Sequence, residues 1–599
     1  VSKADGGQFD GNVTMAGTLA TTGNATFSGD IIKSTSGTSN FAAGVNAGNS
    51  IASGAQYNVV VGDEAGTAIT TGDRNTAIGF GALATEDAHG YNVAVGYAAL
   101  NALNAGADAY NTAVGYAAAN VITTGIQNTL IGSLAGDALT EANYNVALGY
   151  GALGTDTLGS RNTAIGTFSL DAQNFSSATN SNNTAVGYSS GSAVTTGIEN
   201  ILLGARAGMV LTDADHNTAV GYGALTTDTQ GSKSTAIGRS ALAAQNFSSA
   251  TDSYNVAVGY NAGVAVTTGL RNTLIGALSG DVLTDADDNT AIGTQALSGD
   301  TQGSKSTAVG HAALAVQNFS SATDSHNTAI GYYAGVNVTT GQYNTLIGSQ
   351  AGQTAQTAAN STFVGYGAGY NTTGSANTFI GRRSGAGAGE EVTSGEKNVI
   401  LGGYNGNQDG HDIRTEDNTV VLSDGDGNVR MFVDSGGRVF VSNSGSFKMA
   451  VRASSASGTE TMIKFFRLAG GNDTTATSSG QIDTNASDQA VYSTSSDYRL
   501  KENVGYDFDA TTRLKQLKPA RFNFKVTPDE TVDGFLAHEV ESVVPNAVTG
   551  VKDAVDENGD IDPQGIDHGF LVPLLTKSLQ EALTRIETLE ADVKALKGE

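Results

Sequence analysis

The residues near the C-terminal end that could carry covalent chemistry are a serine and a lysine, Ser496 and Lys501, in the run SDYRLKEN. A serine hydroxyl becomes a nucleophile when a neighbouring base takes its proton, and a lysine that packing partly desolvates can be that base. Five residues of irregular chain can bring the two side chains within reach. Most isolated pairs of this kind are structural, so the surrounding segments must decide whether this one reacts.

Two acidic motifs resemble sites of other kinds. Asp424, Asp426 and Asn428 resemble the start of a calcium loop, but no glutamate stands at the twelfth position, so we interpret the segment as a β-turn. The aspartates of LTDADHN and LTDADDN could pair as in a glycosidase. They stand where a repeat must reverse direction, and we interpret them as solvated turns.

The remaining polar candidates are interpreted in the same way. Asp556, Asn558 and Asp560 in DENGDID predict a turn, and His568 in IDHGFL predicts a packing or capping residue. The chain has no cysteine, which excludes disulfides, thiolate catalysis and cysteine zinc sites. We predict no metal and no cofactor.

Charge and hydropathy exclude several classes of partner. The net charge is −27, and residues 51–384 contain only nine scattered lysines and arginines, so no basic stripe exists to bind nucleic acid or an anionic membrane. No run of 18 apolar residues predicts membrane insertion, and the segment VSKADGGQFDGN lacks the apolar core of a signal peptide. We therefore expect synthesis in a host cytoplasm and release by lysis.

The chain is strongly repetitive. The motif N-T-A-[IV]-G recurs with variants from residue 58 to residue 402, mostly every 17 residues. Between residues 166 and 331 every fourth step is 21 residues, which gives a higher unit of 72 residues. The extra residues accompany QNFSSAT, which begins at Gln173, Gln245 and Gln317.

Each repeat predicts one short strand followed by turns. Alternation within N-T-A-V-G-Y places Asn, Ala and Gly on one face and Thr, Val and Tyr on the other. All five prolines lie beyond residue 518, as expected if the backbone N–H groups before them are needed for a ladder. We predict a mainly β protein with a rod of stacked rungs, a β-roll or β-solenoid, over residues 51–402.

These repeats resemble the heads of trimeric autotransporter adhesins and the β-rung segments of phage tail fibres. The adhesin resemblance implies β-rolls side by side in a trimer, although adhesin rungs are usually shorter and adhesins carry export machinery and an anchor. Residues 1–50 predict an N-terminal β shaft segment. Residues 403–495 predict a β-rich neck, in which Asn418–Gly445 alternates like a hairpin.

Composition changes near residue 496, where prolines appear, charge rises and glycine falls. The SDYRLKEN run is followed by LKQLKPARFNF, by GFLAHEVESVVPNAV and by a closing helix pattern. This combination resembles the C-terminal intramolecular chaperone of phage endosialidases and tail fibres, a self-cleaving serine-peptidase family also found in a membrane-tethered animal transcription factor. The resemblance covers residues 496–599 and predicts an α+β chaperone domain.

The resemblance implies that this domain assists the folding of a trimeric β-structure and is then released. It makes Ser496 the nucleophile, Lys501 the general base and Ser495–Ser496 the cleaved bond, in a single-turnover reaction with no external substrate. Ser495 remains an alternative nucleophile. The positions that match the motif and would support the reaction are Asp497, Arg499, Asn503, His538 and Glu539.

The end of the chain has coiled-coil spacing. Steps of four and three residues connect Leu575, Leu579, Ala582, Ile586, Leu589, Val593 and Leu596, with Leu583 beside them. One such helix is marginal alone, so it predicts partners. We expect a homotrimer zipped at its C-terminal end.

Three functions remain to be compared. The first is a homotrimeric phage tail fibre in the virion, which joins the tail or an adaptor protein and binds a glycan or protein receptor on the host surface. The second is a tail-associated glycan depolymerase, and the third is a bacterial surface adhesin. The nearly unbroken repeats favour the first. The receptor-contact candidates are the insertions Gln173, Asn174, Phe175, Gln245, Asn246, Phe247, Gln317, Asn318 and Phe319.

Overall fold

The structure, a computed structural model, describes residues 36–383, 386–437, 439–443, 446–447, 460–467, 477–484, 490–493, 498–525, 527–555 and 561–598. Two compact units, Val1–Met449 and Ala450–Glu599, are described separately. The boundaries predicted from the sequence, after residues 50, 402 and 495, stay predictions.

The first unit is a β-solenoid of about 22 turns, and each turn contributes one short strand to a single parallel ladder. The mainly β, stacked-rung fold predicted from the repeat is confirmed. The ladder strands are Phe41–Ala43, Val59–Val61, Thr76–Ile78, Val93–Val95, Thr112–Val114, Thr129–Ile131, Val146–Leu148, Thr163–Ile165, Thr184–Val186, Ile201–Leu203, Thr218–Val220, Thr235–Ile237, Val256–Val258, Thr273–Ile275, Thr290–Ile292, Thr307–Val309, Thr328–Ile330, Thr345–Ile347, Thr362–Val364, Thr378–Ile380, Val399–Leu401 and Val420–Ser423.

The two faces of each ladder strand differ as the alternation predicts. In Thr218–Val220 the middle residue, Ala219, is fully buried, whereas both ends of the strand are partly exposed. The preceding Asn217 is buried and the following Tyr222 is half exposed. Asn and Ala therefore face the interior of the solenoid, and the Thr, Ile or Val, and Tyr side chains face outward.

A ladder of asparagine side chains holds successive turns together from within. The Asn200 side-chain oxygen accepts the backbone N–H of Asn217 at 3.0 Å, one turn ahead. The side-chain amide of Asn200 donates to the carbonyl oxygen of Ala214 at 2.8 Å. The same pattern recurs at Asn128 and Asn272. A buried polar column is thus satisfied by hydrogen bonds that only the next turn can supply.

Short pairs of strands lie outside the main ladder, and antiparallel strands follow its last parallel strand. Val429–Val433 pairs with the last ladder strand and with Val439–Asn443. Three parallel pairs accompany the 21-residue turns. The remaining strands of this unit are Gly159–Ser160, Thr179–Asn180, Gly231–Ser232, Thr251–Asp252, Gly303–Ser304, Thr323–Asp324, Arg382–Arg383, Ala386–Gly387, Asn407–Gln408, His411–Asp412 and Ser446–Phe447.

The second unit mixes short strands with helices. Its helices are α1 (Ala510–Leu514), α2 (Ala537–Glu541) and α3 (Leu571–Lys597), with 3-10 turns at Tyr498–Leu500, Pro545–Ala547 and His568–Phe570. Its strands are Glu460–Arg467, Thr477–Thr484, Ala490–Ser493, Ala520–Phe524, Thr527–Gly534, Val548–Thr549 and Gly565–Ile566. A small core joins α1, α2 and the start of α3, and includes Ala510, Val540 and Leu574.

The glycine that follows each ladder strand is required by two constraints at once. Gly221 has φ +132°, and a Cβ there would lie 2.5 Å from the carbonyl oxygen of Gly238 in the next turn. Two positions later, at residue 223, the requirement for glycine is weaker. Gly223 has φ +64° with open space around it, and in other turns Ala98 and Ser189 occupy the same position with φ 53° and 51°.

We predict that Gly221→Ala destabilises the solenoid by more than about 2 kcal/mol, because backbone strain adds to a clash with the neighbouring backbone. The matched variant Gly223→Ala should cost about 1 kcal/mol, the usual penalty of a left-handed residue. The midpoint of the first unfolding transition in guanidinium measures both. Equal midpoints for the two variants would contradict this account of the glycine column.

Candidate functional site

The motif around Lys501 lies in an irregular segment at the start of the chaperone-like region. A 3-10 turn, Tyr498–Leu500, ends where the backbone N–H of Lys501 donates to the carbonyl oxygen of Tyr498 at 3.1 Å. Asn503 follows with φ +57°, a left-handed conformation that asparagine tolerates well. The side chains of Tyr498, Lys501 and Asn503 are exposed.

The other half of the predicted reaction centre cannot be placed. Ser495, Ser496 and Asp497 lie outside the described residues, as do Asp556, Asn558 and Asp560. Arg499 and Lys501 are described, and both take part in interactions with other groups. The serine–lysine pair therefore stays a prediction from the motif.

His538 and Glu539 lie on α2, the short helix that follows the hairpin Ala520–Gly534. His538 is exposed, and Glu539 forms an ion pair of 3.3 Å with the exposed Lys518. Val540, the next residue, is buried in the small core. The GFLAHEV segment thus anchors α2 through its apolar residues and leaves its polar ones accessible, and the supporting roles of His538 and Glu539 stay predictions.

Helix α1 is fastened to α3 by a carboxylate. Its first turn is capped by Asp509, whose side chain accepts the N–H of Thr512 at 3.0 Å. Glu581 on α3 accepts both the N–H of Thr511 at 3.0 Å and its hydroxyl at 2.6 Å. These hydrogen bonds stabilise the ionised form and lower the pKa of Glu581 below its ordinary value of 4.5.

Helix α3 carries an apolar stripe that its own chain leaves uncovered. Its first residues, Leu571 and Leu574, are buried in the small core. Farther along, seven seam residues are 45–87% exposed, and Ala582 of the predicted heptad lies beside Leu583. The exposed seam residues are Leu575, Leu579, Leu583, Ile586, Leu589, Val593 and Leu596. Within the described residues, no helix is long and apolar enough to cross a bilayer.

The QNFSSAT insertions are built around a buried hydrogen-bond network. In the second insertion the Gln245 side-chain amide donates to the buried carboxylate of Asp228 at 2.6 Å. Its oxygen accepts from the Asn255 side chain at 2.9 Å, so three successive turns are linked. Asp228 also accepts the backbone N–H groups of Gly231 at 3.0 Å and Phe247 at 3.2 Å. The other two insertions repeat this network around Asp156 and Asp300.

This network corrects part of the receptor-contact prediction. The side chains of Gln173, Gln245 and Gln317 are fully buried, and Phe175, Phe247 and Phe319 are only 5–6% exposed, so these six residues hold turns together. Asn174, Asn246 and Asn318 are exposed, together with the serines that follow. Sequence analysis missed the aspartate that precedes each of these glutamines by 17 residues, although its 72-residue recurrence was visible.

One cluster in the described residues has the chemistry of a metal site. Glu86, Asp87 and His89 each bring a ligand atom within 4.8 Å of the others. Glu86 occupies the position of the network aspartates, with Leu103 where the others have glutamine. Its carboxylate accepts the N–H groups of His89 at 3.2 Å and Ala105 at 3.3 Å. The same hydrogen bonds serve the turn in the other units.

The acidic motifs at Asp424 and Asp215 form hydrogen-bonded turns. Asp424 accepts the N–H groups of Asp426 and Asn428. Hydrogen bonds from Asn428 and Arg430 lower the pKa of Asp424 to about 2. In LTDADHN, Asp215 accepts the N–H of Ile198 at 2.8 Å, one turn earlier.

Comparison with known families identifies the C-terminal motif. A family model described as "Chaperone of endosialidase" matches residues 496–549. Searches of curated proteins and of solved structures returned no match. The family match and the β-solenoid fit a tail fibre with a C-terminal chaperone domain.

We predict that acidification loosens α1 from α3. Because the pKa of Glu581 is lowered in the folded chain, its contribution is present above pH 4.5 and is lost as the pH falls through the folded-state pKa. Protection of residues 510–514 in hydrogen exchange should fall over that range. Glu581→Gln should show reduced protection already at pH 7, whereas Glu587→Gln, on the exposed part of the same helix, should behave like the wild type.

Proposed function

We propose that this chain is a subunit of a homotrimeric phage tail fibre in the virion, whose C-terminal domain drives trimer folding and then cuts itself off between Ser495 and Ser496. The observation that carries the proposal is the position of the family match. It begins at Ser496 and lies C-terminal to a solenoid of about 22 turns. This is the arrangement expected of a removable folding aid behind a long β-structure.

The solenoid explains why such an aid is needed. A ladder of near-identical strands has near-degenerate registers, and a slip by one 72-residue unit would bring Thr290 where Thr218 belongs with almost the same neighbours. Three copies multiply the number of wrong pairings. A domain that first aligns the C-terminal ends gives the first correct turn a fixed starting point.

The uncovered seam of α3 supports a trimer zipped at this end. Leu579, Ile586 and Leu589 are 62%, 50% and 45% exposed, and they lie on the stripe that heptad spacing assigns to a partner helix. Burying this stripe between copies removes apolar surface from water, which an isolated helix cannot do. A parallel association of three α3 helices would bring the same end of each chain together.

The proposed cleavage needs no outside reactant except water. The Ser496 hydroxyl attacks the carbonyl carbon of Ser495 while Lys501 takes its proton. The bond to the Ser496 nitrogen breaks, Lys501 returns the proton to the released amine, and an ester joins the two residues. Water then hydrolyses the ester, which leaves a carboxylate on Ser495 and frees the hydroxyl. Afterwards the fibre has lost its folding aid, so its persistence is kinetic.

We predict that the wild type yields fragments 1–495 and 496–599, and that Ser496→Ala and Lys501→Ala each yield one intact chain of 60.6 kDa that still forms trimers. Ser495→Ala is the matched control and should still cleave, because its hydroxyl is not used. Denaturing gels and intact masses give the result. If Ser496→Ala still cleaves and Ser495→Ala does not, the nucleophile is Ser495 and the proposed assignment is wrong.

The insertions supply the proposed receptor surface. Each exposes an asparagine and small side chains once per four turns, as at Asn246, Ser248 and Ala250, while its buried glutamine fixes the loop. Such loops vary without disturbing the ladder. The ladder strands follow one another from residue 41 to residue 423 without an inserted domain among the described residues, so no observation favours the depolymerase. A tail or adaptor protein would hold the other end.

We predict that replacing the exposed serines Ser176, Ser248 and Ser320 by tryptophan reduces adsorption of the fibre to host cells at least tenfold, because the added rings block the row of loops. Folding and trimer mass should not change, since these side chains lie outside the buried network. The matched triple variant to alanine should adsorb like the wild type. Unchanged adsorption of the tryptophan variant would place the receptor site elsewhere.

A further inference from the structure

The outer side of the ladder is an uncharged surface of threonine and aliphatic side chains, which we call the strand face. It consists of the first and third residues of the 22 ladder strands, together with the aromatic residues that follow many of them. The first and third positions hold Thr, Val, Ile, Leu, Phe or Ala, and none is charged. Third-position side chains such as Leu148, Ile237 and Ile292 are 37–44% exposed.

Beside the strand face, between residues 80 and 366, nine turns carry an aromatic residue after the ladder glycine, which we call the aromatic column, and other turns carry residues such as Ser133, Arg239 or Ala277 there. Its nine members are 44–56% exposed, and Tyr97 stacks between Phe80 at 5.4 Å and Tyr116 at 5.2 Å. The column consists of Phe80, Tyr97, Tyr116, Tyr150, Tyr188, Tyr222, Tyr260, Tyr332 and Tyr366. A buried aromatic side chain withdraws roughly 150–250 Å² from water, so half-exposed rings leave roughly 100 Å² each.

This exposed surface exceeds what a stable interface needs. The aromatic column alone offers on the order of 900 Å² per chain, whereas a standard interface takes about 800 Å² from each partner. The aliphatic columns beside it add to this area. Soluble proteins rarely leave a contiguous apolar patch of more than a few hundred Å² in water.

The length, strand spacing and charge of the strand face indicate which molecule covers it. A saccharide needs directed hydrogen-bond partners, which the third-position column of Ala, Val, Ile and Leu cannot provide. A second copy of this chain has an apolar surface of the same length and the same strand spacing. Copies with a net charge of −27 repel one another, and they approach at least cost through the first- and third-position columns, which carry no charged residue.

We propose that the strand face is where the three solenoids pack against one another around a common axis. This inference rests on the proposed homotrimer and adds the surface that forms it. Solenoids that pack in parallel and in register bring equivalent turns to the same height, so aliphatic columns meet aliphatic columns. The exposed residues of the insertions, such as Ala250, belong to no strand-face column and remain accessible to a receptor.

The absence of native cysteine allows a direct test on the full chain. Ile237→Cys places a thiol in the strand face, and Ala250→Cys places one in the insertion of the same turn. Ile292→Cys is a second strand-face site in case the first variant folds poorly. Maleimide labelling rates are measured on the native protein and in guanidinium, and light scattering gives the mass of each variant.

In the native trimer we expect the thiols at 237 and 292 to react at least about tenfold more slowly than the thiol at 250, and all three to react alike in guanidinium. A trimer in which the native rates are equal would overturn the strand-face interface and leave the homotrimer intact. A monomer in which the rates are equal would overturn the homotrimer as well, and the interface with it.

Discussion

Each turn of the solenoid completes the hydrogen bonds of its neighbours, and everything else in the first unit follows from this dependence. The Asn217 backbone N–H is satisfied by Asn200, and Asn200 reaches forward to Ala214. Gly221 must be a glycine because the next turn approaches too closely for a Cβ. No proline occurs before residue 519. A turn is therefore stable only when it is stacked, and the ladder forms only in register.

The same constraint bears on the domain that follows the ladder in the sequence. The interior is filled by asparagine, alanine and buried leucine, isoleucine, valine or phenylalanine side chains such as Leu211, Leu283 and Phe363. Much of the remaining apolar surface faces outward on the strand face. A chain built in this way gains stability by association, and its repeated turns offer many wrong pairings. A C-terminal domain that aligns copies before the ladder forms, and is then discarded, answers both needs.

Sequence reasoning went far wherever the repeat itself carried the information. The period predicted one strand per turn, and alternation within N-T-A-V-G-Y put Asn217 and Ala219 on one face and Tyr222 on the other. The structure shows that the first face is the buried one. It failed at the insertions, where Phe247 was a receptor-contact candidate but is buried in the structure. The side chain turns inward because Asp228 and Gln245 pull the loop onto the previous turn. Local conformational propensity cannot reveal a hydrogen bond between two side chains 17 residues apart, such as that of Gln245 to Asp228. At the cleavage motif the family resemblance decided the roles of Ser496 and Lys501, because five residues of irregular chain do not set a geometry.

An electron cryomicroscopy map of the assembled fibre tests the central claim most directly, because it shows the ladder and its association together. The account predicts a threefold cross-section with one solenoid per chain, rungs about 4.8 Å apart along the axis, and the strand faces turned toward the centre. A single solenoid with solvent on every side, or three solenoids whose strand faces point outward, would contradict it.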